Sequence, residues 1–198
     1  MNELESIRHQ LAGRLAPPVE LRIERERILQ AAVTLILREQ QGQAEALIIK
    51  RAEHANDPWS GHLALPGGRA ESNDEDLLIT AARETREEIG LELLDGNRSR
   101  DRFIGQLPLL APRHPGLPRL EITPFVALAP EKFSIQLNKE VAAAFWVSIS
   151  RLKRDGLAGE YRMQFGDITK KWPAYPTELG MIWGITERIL TSFLELLG

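Results

Sequence analysis

Three glutamates lie on one face of a helix that the sequence predicts between Asn73 and Gly90. Glu84, Glu87 and Glu88 occupy positions i, i+3 and i+4, so their carboxylates gather within about one helical turn. Like charges at this spacing weaken an isolated helix, whereas a hard divalent cation among the oxygens makes the same cluster favourable. The spacing therefore predicts a metal site with Glu84 and Glu88 as its first ligands and Glu87 close beside them.

A glycine turn and an arginine accompany this acidic face. Pro66-Gly67-Gly68 precedes the helix, and glycine lets main-chain atoms approach a cation because it has no Cβ. Arg83 reaches Glu87 at i+4, which predicts an ion pair along the helix. Mg²⁺ prefers octahedral oxygen coordination and uses a few carboxylates together with substrate phosphate, so this combination suits Mg²⁺.

Length and composition restrict the class of protein. The chain has 198 residues, a formal net charge of −3 and no cysteine. It is long enough for one domain with a real core, and its charge provides no general attraction to nucleic acid or to an anionic membrane. The absence of cysteine excludes disulfides and thiolate metal sites. We expect no signal peptide and no membrane span, because neither a cationic start with an apolar run nor ~20 consecutive apolar residues is present. A cytoplasmic protein is expected.

The elements that must position the acidic face follow from apolar patterns. Strands and helices mix without a regular βαβ rhythm, which favours an α/β or α+β fold with a mixed sheet. We assign residues 1–18 to an N-terminal helix and a Pro17-Pro18 linker, and residues 19–198 to one domain. The pattern predicts a hairpin around Gln41-Gly42, formed by residues 28–37 and 46–49, and further strands at 62–65, 103–107, 120–128 and 142–147. It also predicts three helices in this domain. One begins at Asn73-Asp74 with acidic residues in its first turn, a short one is capped by Ser150, and the last covers about 179–197 and buries Ile182.

From Leu65 to Leu91 the chain resembles the Nudix hydrolase box. That pattern has a glycine, a glutamate and then Arg-Glu-apolar-x-Glu-Glu-x-Gly-apolar at fixed spacing. Thr85 stands where the family usually has an aliphatic residue. The resemblance implies a Nudix-like α/β/α sandwich with a mixed central sheet and a loop-helix-loop catalytic motif. The matching residues are Gly68, Glu75, Arg83, Glu84, Glu87, Glu88, Gly90 and Leu91.

The resemblance also implies a Mg²⁺- or Mn²⁺-dependent pyrophosphohydrolase. Divalent cations neutralise diphosphate oxygens, orient the scissile phosphorus and acidify a bound water. By resemblance Gly67 supplies a main-chain carbonyl to the metal, beside Glu84, Glu87 and Glu88. The bracing of the motif is assigned to Gly68, Glu75, Arg83 and Gly90.

The catalytic candidates are Glu84, Glu87 and Glu140. The general base is left open between Glu84 and Glu140, because a loop glutamate often assists in this family. Arg51 and Arg69 lie close to the box in sequence and are the candidates for contact with substrate phosphate.

One extra residue, relative to the common family spacing, makes the resemblance more specific to one branch of the family. Six residues, rather than the common five, separate Gly68 from Glu75, and the coenzyme A pyrophosphatase branch carries the same lengthened spacing. Further runs at 47–51, 61–68, 122–126, 140–147 and 182–186 are similar to that branch, so the resemblance covers residues 28–195. The branch expects an arginine in the loop before Gly61, and residues 52–60 contain none.

The favoured substrate is coenzyme A or an acyl-CoA. Two alternatives are left open: another nucleoside diphosphate derivative such as ADP-ribose, a nucleotide sugar or a nucleoside triphosphate, and a catalytically silent Nudix module that senses a ligand. The expected partner is a small nucleotide-type diphosphate, with no nucleic acid and no membrane. A homodimer through the N-terminal helix is left open.

Overall fold

The structure is a computed structural model that describes residues 2–18, 28–55, 59–94, 99–112, 119–165 and 168–198. No helix in these ranges combines the length and the apolar character needed to cross a bilayer. The elements in chain order are α1 (Glu3–Leu11), β1 (Leu29–Gln40), β2 (Gln43–Arg51), β3 (Leu63–Ala64), β4 (Gly67–Arg69), α2 (Leu77–Ile89), β5 (Phe103–Gln106), β6 (Leu120–Leu128), β7 (Val141–Ser148), α3 (Ile149–Asp155), β8 (Gly159–Phe165), β9 (Ile168–Thr177), β10 (Gly180–Trp183) and α4 (Gly184–Glu195).

The central sheet is mixed, as the sequence predicts. Within the described residues it has seven strands in the order β3-β2-β1-β6-β5, with β4 beside β1 and β7 beside β2. Strands β1 and β6 run parallel from the pair Leu29 and Leu120 to the pair Leu37 and Leu128, whereas β1 and β2 form an antiparallel hairpin. The hairpin turns at Gln41 and Gly42, which both have positive φ, as the predicted two-residue turn requires.

Alternation along β1 and β2 buries both faces of this sheet. On β1, Leu35 and Leu37 face a core that α1, α3 and α4 complete, whereas Ile36 faces a second core that α2 completes. On β2, Ile48 faces the first core and Leu47 the second. Since successive strand residues point to opposite faces, one apolar run serves two layers of helices. The α+β class and the sandwich of helices around a mixed sheet are therefore confirmed.

A second sheet, of three antiparallel strands in the order β10-β9-β8, was not predicted. The prediction of a helix from residue 179 is wrong, because Gly180–Trp183 is strand β10 and buries Ile182 there. Gly180 has φ 136°, which only glycine adopts readily, and α4 begins at Gly184. The central strand β9 carries Pro173 and Pro176. Proline removes a main-chain donor, so the sequence pattern argued against a strand here.

Two helices begin at other residues than predicted. Helix α2 begins at Leu77 rather than at Asn73-Asp74, because the side chain of Asp76 accepts hydrogen bonds from the amides of Leu78 and Ile79. The first turn of α2 therefore contains no acidic residue. Its predicted end is correct, since Gly90 forms a left-handed C-cap.

Helix α3 is capped by Ser148 rather than by Ser150. The Ser148 hydroxyl accepts a hydrogen bond from the Arg151 amide, and the helix continues to Asp155. Ser148 lies at the end of β7, so the strand leads directly into the helix.

Helix α1 packs against the sheet. Ile7 and Leu11 are buried in the core that α3 and α4 share, and the carboxylate of Glu3 accepts a 2.7 Å hydrogen bond from the Ala44 amide. The Gln106 amide donates to the carbonyl oxygen of Ala16 at 2.9 Å, which fixes the end of the segment on β5. The predicted boundary at residue 18 adjoins residues 19–27, which lie outside the described ranges, and it stays a prediction.

We predict that Leu11→Ala lowers the free energy of unfolding by about 2–5 kcal/mol, because the buried side chain leaves a cavity in the shared core. Gln10→Ala on the exposed face of α1 is the control and should change it by less than about 0.5 kcal/mol. Urea denaturation measures both values. Equal midpoints for the two variants would show that α1 adds nothing to the core.

Candidate functional site

Helix α2 presents its three glutamates to different surroundings. Glu88 is buried, with 4% of its surface exposed. The side chain of Glu84 is 17% exposed, whereas that of Glu87 is 47% exposed. Glu84 and Glu88 are four residues apart and share the face that looks at the glycine turn. The structure thus separates an inner pair, Glu84 and Glu88, from an outer carboxylate, Glu87.

The glycine turn contacts this inner pair directly. The Gly67 amide donates a 2.9 Å hydrogen bond to Oε2 of Glu88, and Gly67 has φ 149°. A Cβ on Gly67 would overlap the main chain of Ala32 and Val33, and a Cβ on Gly68 would overlap the carboxylate of Glu84. Residue 67 therefore needs glycine because of the sheet behind it, whereas a side chain at residue 68 would displace the Glu84 carboxylate from the turn.

Arg83 links the loop before α2, two glutamates of α2 and the main chain that follows the glycine turn. Its Nη1 lies 3.0 Å from Oε1 of Glu84 and 3.0 Å from Oε2 of Glu87, so the predicted Arg83–Glu87 pair is present. Its Nε and Nη2 donate to the two carboxylate oxygens of Asp74 at 3.0 Å each, and Nη2 also donates to the carbonyl oxygen of Arg69 at 3.0 Å. The hydrogen bond with Asp74 first, and then the charge of Glu84, raise the pKa of Arg83 above its usual value.

Asp74 is a residue of the site that the sequence reasoning missed. It is buried, and besides Arg83 it accepts hydrogen bonds from the Thr80 hydroxyl at 2.8 Å and the Glu71 amide at 2.9 Å. Burial would raise the pKa of Asp74, but these hydrogen bonds, with that of Arg83 the strongest, hold it below its usual value. The neighbouring Glu75, to which the family pattern points, is exposed, and its bracing role stays a prediction.

Thr85 uses the hydroxyl that distinguishes it from the usual aliphatic residue. Its Oγ1 donates to the carbonyl oxygen of Ala81 at 2.8 Å and lies 3.3 Å from Oγ1 of Thr34, and both threonines are fully buried. The Thr34 amide in turn donates to the carbonyl oxygen of Pro66 at 2.8 Å. The pair links α2, β1 and the glycine turn inside an otherwise apolar core.

Burial raises the pKa values of the inner carboxylates, Glu84 and Glu88. Burial raises the pKa of Glu88 to about 7, with the charges of Glu84 and Glu140 adding to it and the Gly67 amide and the charge of Arg51 opposing it. Burial also raises the pKa of Glu84, although Arg83 opposes that effect. Negative charge held out of water in this way favours the approach of a cation.

The remaining predicted residues lie around the end of α2. The Asn138 amide donates to the carbonyl oxygen of Glu88 at 3.1 Å, and the Ala52 amide donates to that of Glu140 at 2.8 Å. Glu140, which is exposed, therefore stands beside the end of β2, where Arg51 lies. The side chain of Arg69 is exposed, and its carbonyl is held by Arg83. The charges of Arg51 and Glu140 both act on the carboxylate of Glu88.

The donor groups fit a hard divalent cation. Among the residues that the structure describes, no three carboxylate or imidazole groups converge at metal-binding spacing. Instead Glu84 binds Arg83 and Glu88 binds the Gly67 amide, which limits the repulsion between like charges. A buried and a partly buried carboxylate, both of raised pKa and both beside a glycine main chain, are nevertheless the oxygen donors that Mg²⁺ and Mn²⁺ accept. The metal-ligand assignments of Gly67, Glu84, Glu87 and Glu88 stay predictions.

Comparison with known families identifies the class of this protein. A model of the NUDIX domain matches residues 28–164, which is more than half of the chain. The chain therefore belongs to the Nudix family.

Relatives agree with this class. The chain is 29% identical to the uncharacterised Nudix hydrolase NudL of Yersinia enterocolitica over 147 residues, covering 73% of this chain and 69% of that protein. It is 28% identical to the mitochondrial coenzyme A diphosphatase NUDT8 of Mus musculus over 177 residues, covering 87% of this chain and 80% of that protein. An uncharacterised protein of Schizosaccharomyces pombe is 35% identical over 109 residues, and the match spans 54% of this chain and only 32% of that longer protein.

Solved structures share the fold. A MutT/nudix family protein from Enterococcus faecalis superposes with a TM-score of 0.60 at 17% identity, covering 100% of this chain and 75% of that one. A NUDIX hydrolase from Alicyclobacillus acidocaldarius superposes with a TM-score of 0.51 at 21% identity, covering 69% of this chain and 86% of that one. At these identities the likeness establishes the architecture.

We predict that Asp74→Asn lowers the free energy of unfolding by about 1.5–3 kcal/mol, because it removes the buried charge that accepts two hydrogen bonds from the partly buried guanidinium of Arg83. Glu75→Gln removes the adjacent, exposed carboxylate to which the resemblance assigns a bracing role, and we expect a smaller loss than for Asp74→Asn. Glu92→Gln removes an exposed carboxylate beyond the end of α2 and is the control, with an expected change of less than about 0.5 kcal/mol. Urea denaturation at pH 7 compares them. A larger loss for Glu75→Gln would transfer the bracing role to Glu75.

We predict that Glu88→Gln stabilises the metal-free protein at pH 8. The pKa of Glu88 is raised on folding, so its contribution is present below the unfolded value of about 4.5 and is lost as pH rises through about 7. The wild type should therefore lose roughly 1–3 kcal/mol relative to Glu88→Gln between pH 5 and pH 8. Denaturation in chelator measures the two curves, and circular dichroism checks that the fold is retained. Parallel curves would contradict the burial of a charged Glu88.

Proposed function

We propose that this Nudix protein is a Mg²⁺- or Mn²⁺-dependent pyrophosphohydrolase that cleaves a diphosphate linkage by attack of water at phosphorus. One observation carries the proposal: the buried carboxylate of Glu88 and the partly buried carboxylate of Glu84 are held against a glycine turn, and Arg83 contacts only the second of them. A silent module would have no need to maintain such buried acids, which cost stability when they are ionised.

The proposed metal ligands lie on helix α2 and on the glycine turn. Glu84, Glu88, Glu87 and the carbonyl of Gly67 are proposed to hold the metal, which when bound neutralises diphosphate oxygens and acidifies water. Arg83 keeps the carboxylates of Glu84 and Glu87 in place through its two 3.0 Å contacts.

Residues around the metal ligands are proposed to bind the substrate phosphates and to accept the proton of the attacking water. Arg51 beside Glu88 and the exposed Arg69 are proposed to bind substrate phosphate, because guanidinium groups pair with phosphate oxygens. The proton of the attacking water is assigned to Glu140 or to Glu84. Two observations support Glu140: its carboxylate is exposed, and its charge acts on Glu88.

The proposed substrate is coenzyme A or an acyl-CoA, with 3′,5′-ADP and 4′-phosphopantetheine or its acyl form as products. Two observations support this choice: the six residues between Gly68 and Glu75, and the 28% identity to a relative named as a coenzyme A diphosphatase. The absence of an arginine in residues 52–60 favours instead a second candidate, another nucleoside diphosphate derivative such as ADP-ribose, a nucleotide sugar or a nucleoside triphosphate. A cytoplasmic location and a homodimer are further proposals.

A substrate panel tests the proposal. The purified chain with Mg²⁺ or Mn²⁺ is incubated with coenzyme A, acetyl-CoA, ADP-ribose, a nucleotide sugar and a nucleoside triphosphate, and the products are resolved by chromatography. We expect cleavage of coenzyme A at the diphosphate and no cleavage in chelator. Fast cleavage of ADP-ribose without cleavage of coenzyme A would replace the favoured substrate. No cleavage of any compound, with binding retained, would favour the sensing module.

The variant Glu88→Gln is expected to lower kcat by at least about 10³-fold, because it removes a charged oxygen from the proposed metal site while its amide oxygen can still accept from Gly67. Glu92→Gln, which removes an exposed carboxylate three residues beyond the end of α2, is the control and should retain wild-type kcat. Wild-type turnover by Glu88→Gln would refute the metal assignment.

A further inference from the structure

A short loop, residues 136–140, crosses the C-terminal end of α2 and leads into β7. The Gln136 amide donates to the carbonyl oxygen of Ile89 at 2.8 Å, and the Asn138 amide donates to that of Glu88 at 3.1 Å. The last carbonyl groups of a helix have no partner within the helix, so this loop supplies partners to two of them. One of the two belongs to Glu88, the buried glutamate of the candidate site.

The side chain of Asn138 folds the same loop. Its Oδ1 accepts a hydrogen bond from the Glu140 amide at 2.8 Å, and its carbonyl oxygen accepts one from the Val141 amide at 3.4 Å. An asparagine side chain that accepts from the amide two residues further on forms an Asx turn. The carbonyl oxygen of Glu140 accepts in turn from the Ala52 amide at 2.8 Å. Both main-chain polar groups of Glu140 are therefore bonded.

Asn138 thus contacts the main chain of two glutamates that lie on separate elements. Its amide holds Glu88 of α2, and its side chain holds Glu140 of the loop. The two glutamates act on each other: burial first, and then the charges of Glu84 and Glu140, raise the pKa of Glu88. Because like charges repel, the position of Glu140 relative to Glu88 depends on main-chain restraints. Asn138 supplies one of these restraints through a single residue.

We propose that Asn138 is a positioning residue, which sets the place of Glu140 relative to Glu88 for the attack of water on the substrate. The inference rests on the proposed function, in which Glu88 holds the metal and Glu140 is a candidate to accept the proton of the water. Asn138 touches neither metal nor substrate and acts through Glu140, whose amide it binds. Placement matters, because an error of about 1 Å lowers a rate by about 10²-fold.

Steady-state kinetics of the full chain, with every compound of the substrate panel, test the proposal. We expect Asn138→Ala to lower kcat by about 10- to 100-fold and to leave KM within about 2-fold, because Glu140 is displaced while the contacts that bind substrate remain. Asn138→Asp keeps an oxygen that accepts from the Glu140 amide, so it should stay within about 3-fold of the wild-type kcat.

Asn2→Ala is the matched control. The Asn2 side chain makes the same kind of hydrogen bond, since its Oδ1 accepts from the Glu5 amide at 2.8 Å at the start of α1. This helix begins at the hairpin turn, where the Glu3 amide donates to the carbonyl oxygen of Gly42, at the end of β2 that lies away from Arg51. Asn2→Ala should leave kcat unchanged.

A double-mutant cycle shows whether Asn138 acts through Glu140. In the Glu140→Gln background, Asn138→Ala should lower kcat by a further factor of less than about 2, because the group that it positions is already replaced. An equal loss in both backgrounds would indicate a general structural effect and would overturn the proposal. Wild-type kcat in Asn138→Ala, or a loss in Asn138→Asp as large as that in Asn138→Ala, would overturn it as well.

Amide hydrogen exchange measures the restraint without turnover. In Asn138→Ala the Glu140 amide should exchange about 2- to 10-fold faster than in the wild type, because it loses its acceptor. The amide of residue 138, which donates to Glu88, should keep its protection. Faster exchange of both amides would indicate local unfolding of the loop and would overturn the specific role of the side chain.

The outcomes separate this inference from the hydrolase proposal. Cleavage of the panel with full kcat in Asn138→Ala would retain the hydrolase and refute the positioning role. Cleavage of no compound by the wild type would refute the hydrolase, and unchanged exchange of the Glu140 amide in Asn138→Ala would then refute the restraint independently.

Discussion

The guanidinium of Arg83 is the group on which the rest of the site depends. It is the cation that lies among Asp74, Glu84 and Glu87, and it also holds the carbonyl oxygen of Arg69. A planar group with five donors can bind partners in several directions at once, which an ammonium group cannot do with the same rigidity. The loop before α2, the helix itself and the end of the glycine turn are therefore held to one another by the same side chain.

This arrangement lowers the stability of the fold, because it concentrates negative charge where burial raises the pKa values of Glu84 and Glu88. Glu88 is buried and accepts a hydrogen bond from the Gly67 amide, yet its pKa is about 7, because one amide does not replace the water that burial removes. Gly68 allows the carboxylate of Glu84 to lie against the turn where any side chain would displace it. Perturbed pKa values of this kind cluster at functional sites.

Local sequence patterns correctly predicted the elements whose signals lie within a few neighbouring residues. The hairpin at Gln41-Gly42, strand β6 over Leu120–Leu128 and the C-cap at Gly90 were predicted at or close to their observed positions, because turn chemistry and apolar periodicity are read within a few residues. The second sheet was missed. Pro173 and Pro176 contradict strand propensity, and its stability comes from pairing and from packing on other elements.

The sequence by itself determined the Nudix family and the acidic face of α2, since spacing along one helix decides which carboxylates share a side. It also identified the glycines and Arg83 as one motif. Tertiary structure alone decided that Asp74 binds Arg83, because the loop before α2 sets that distance. It also brought Trp59 and His62 against Tyr161 and the rings of the second sheet. Contacts across some hundred residues leave no periodicity in the chain, so packing has to reveal them.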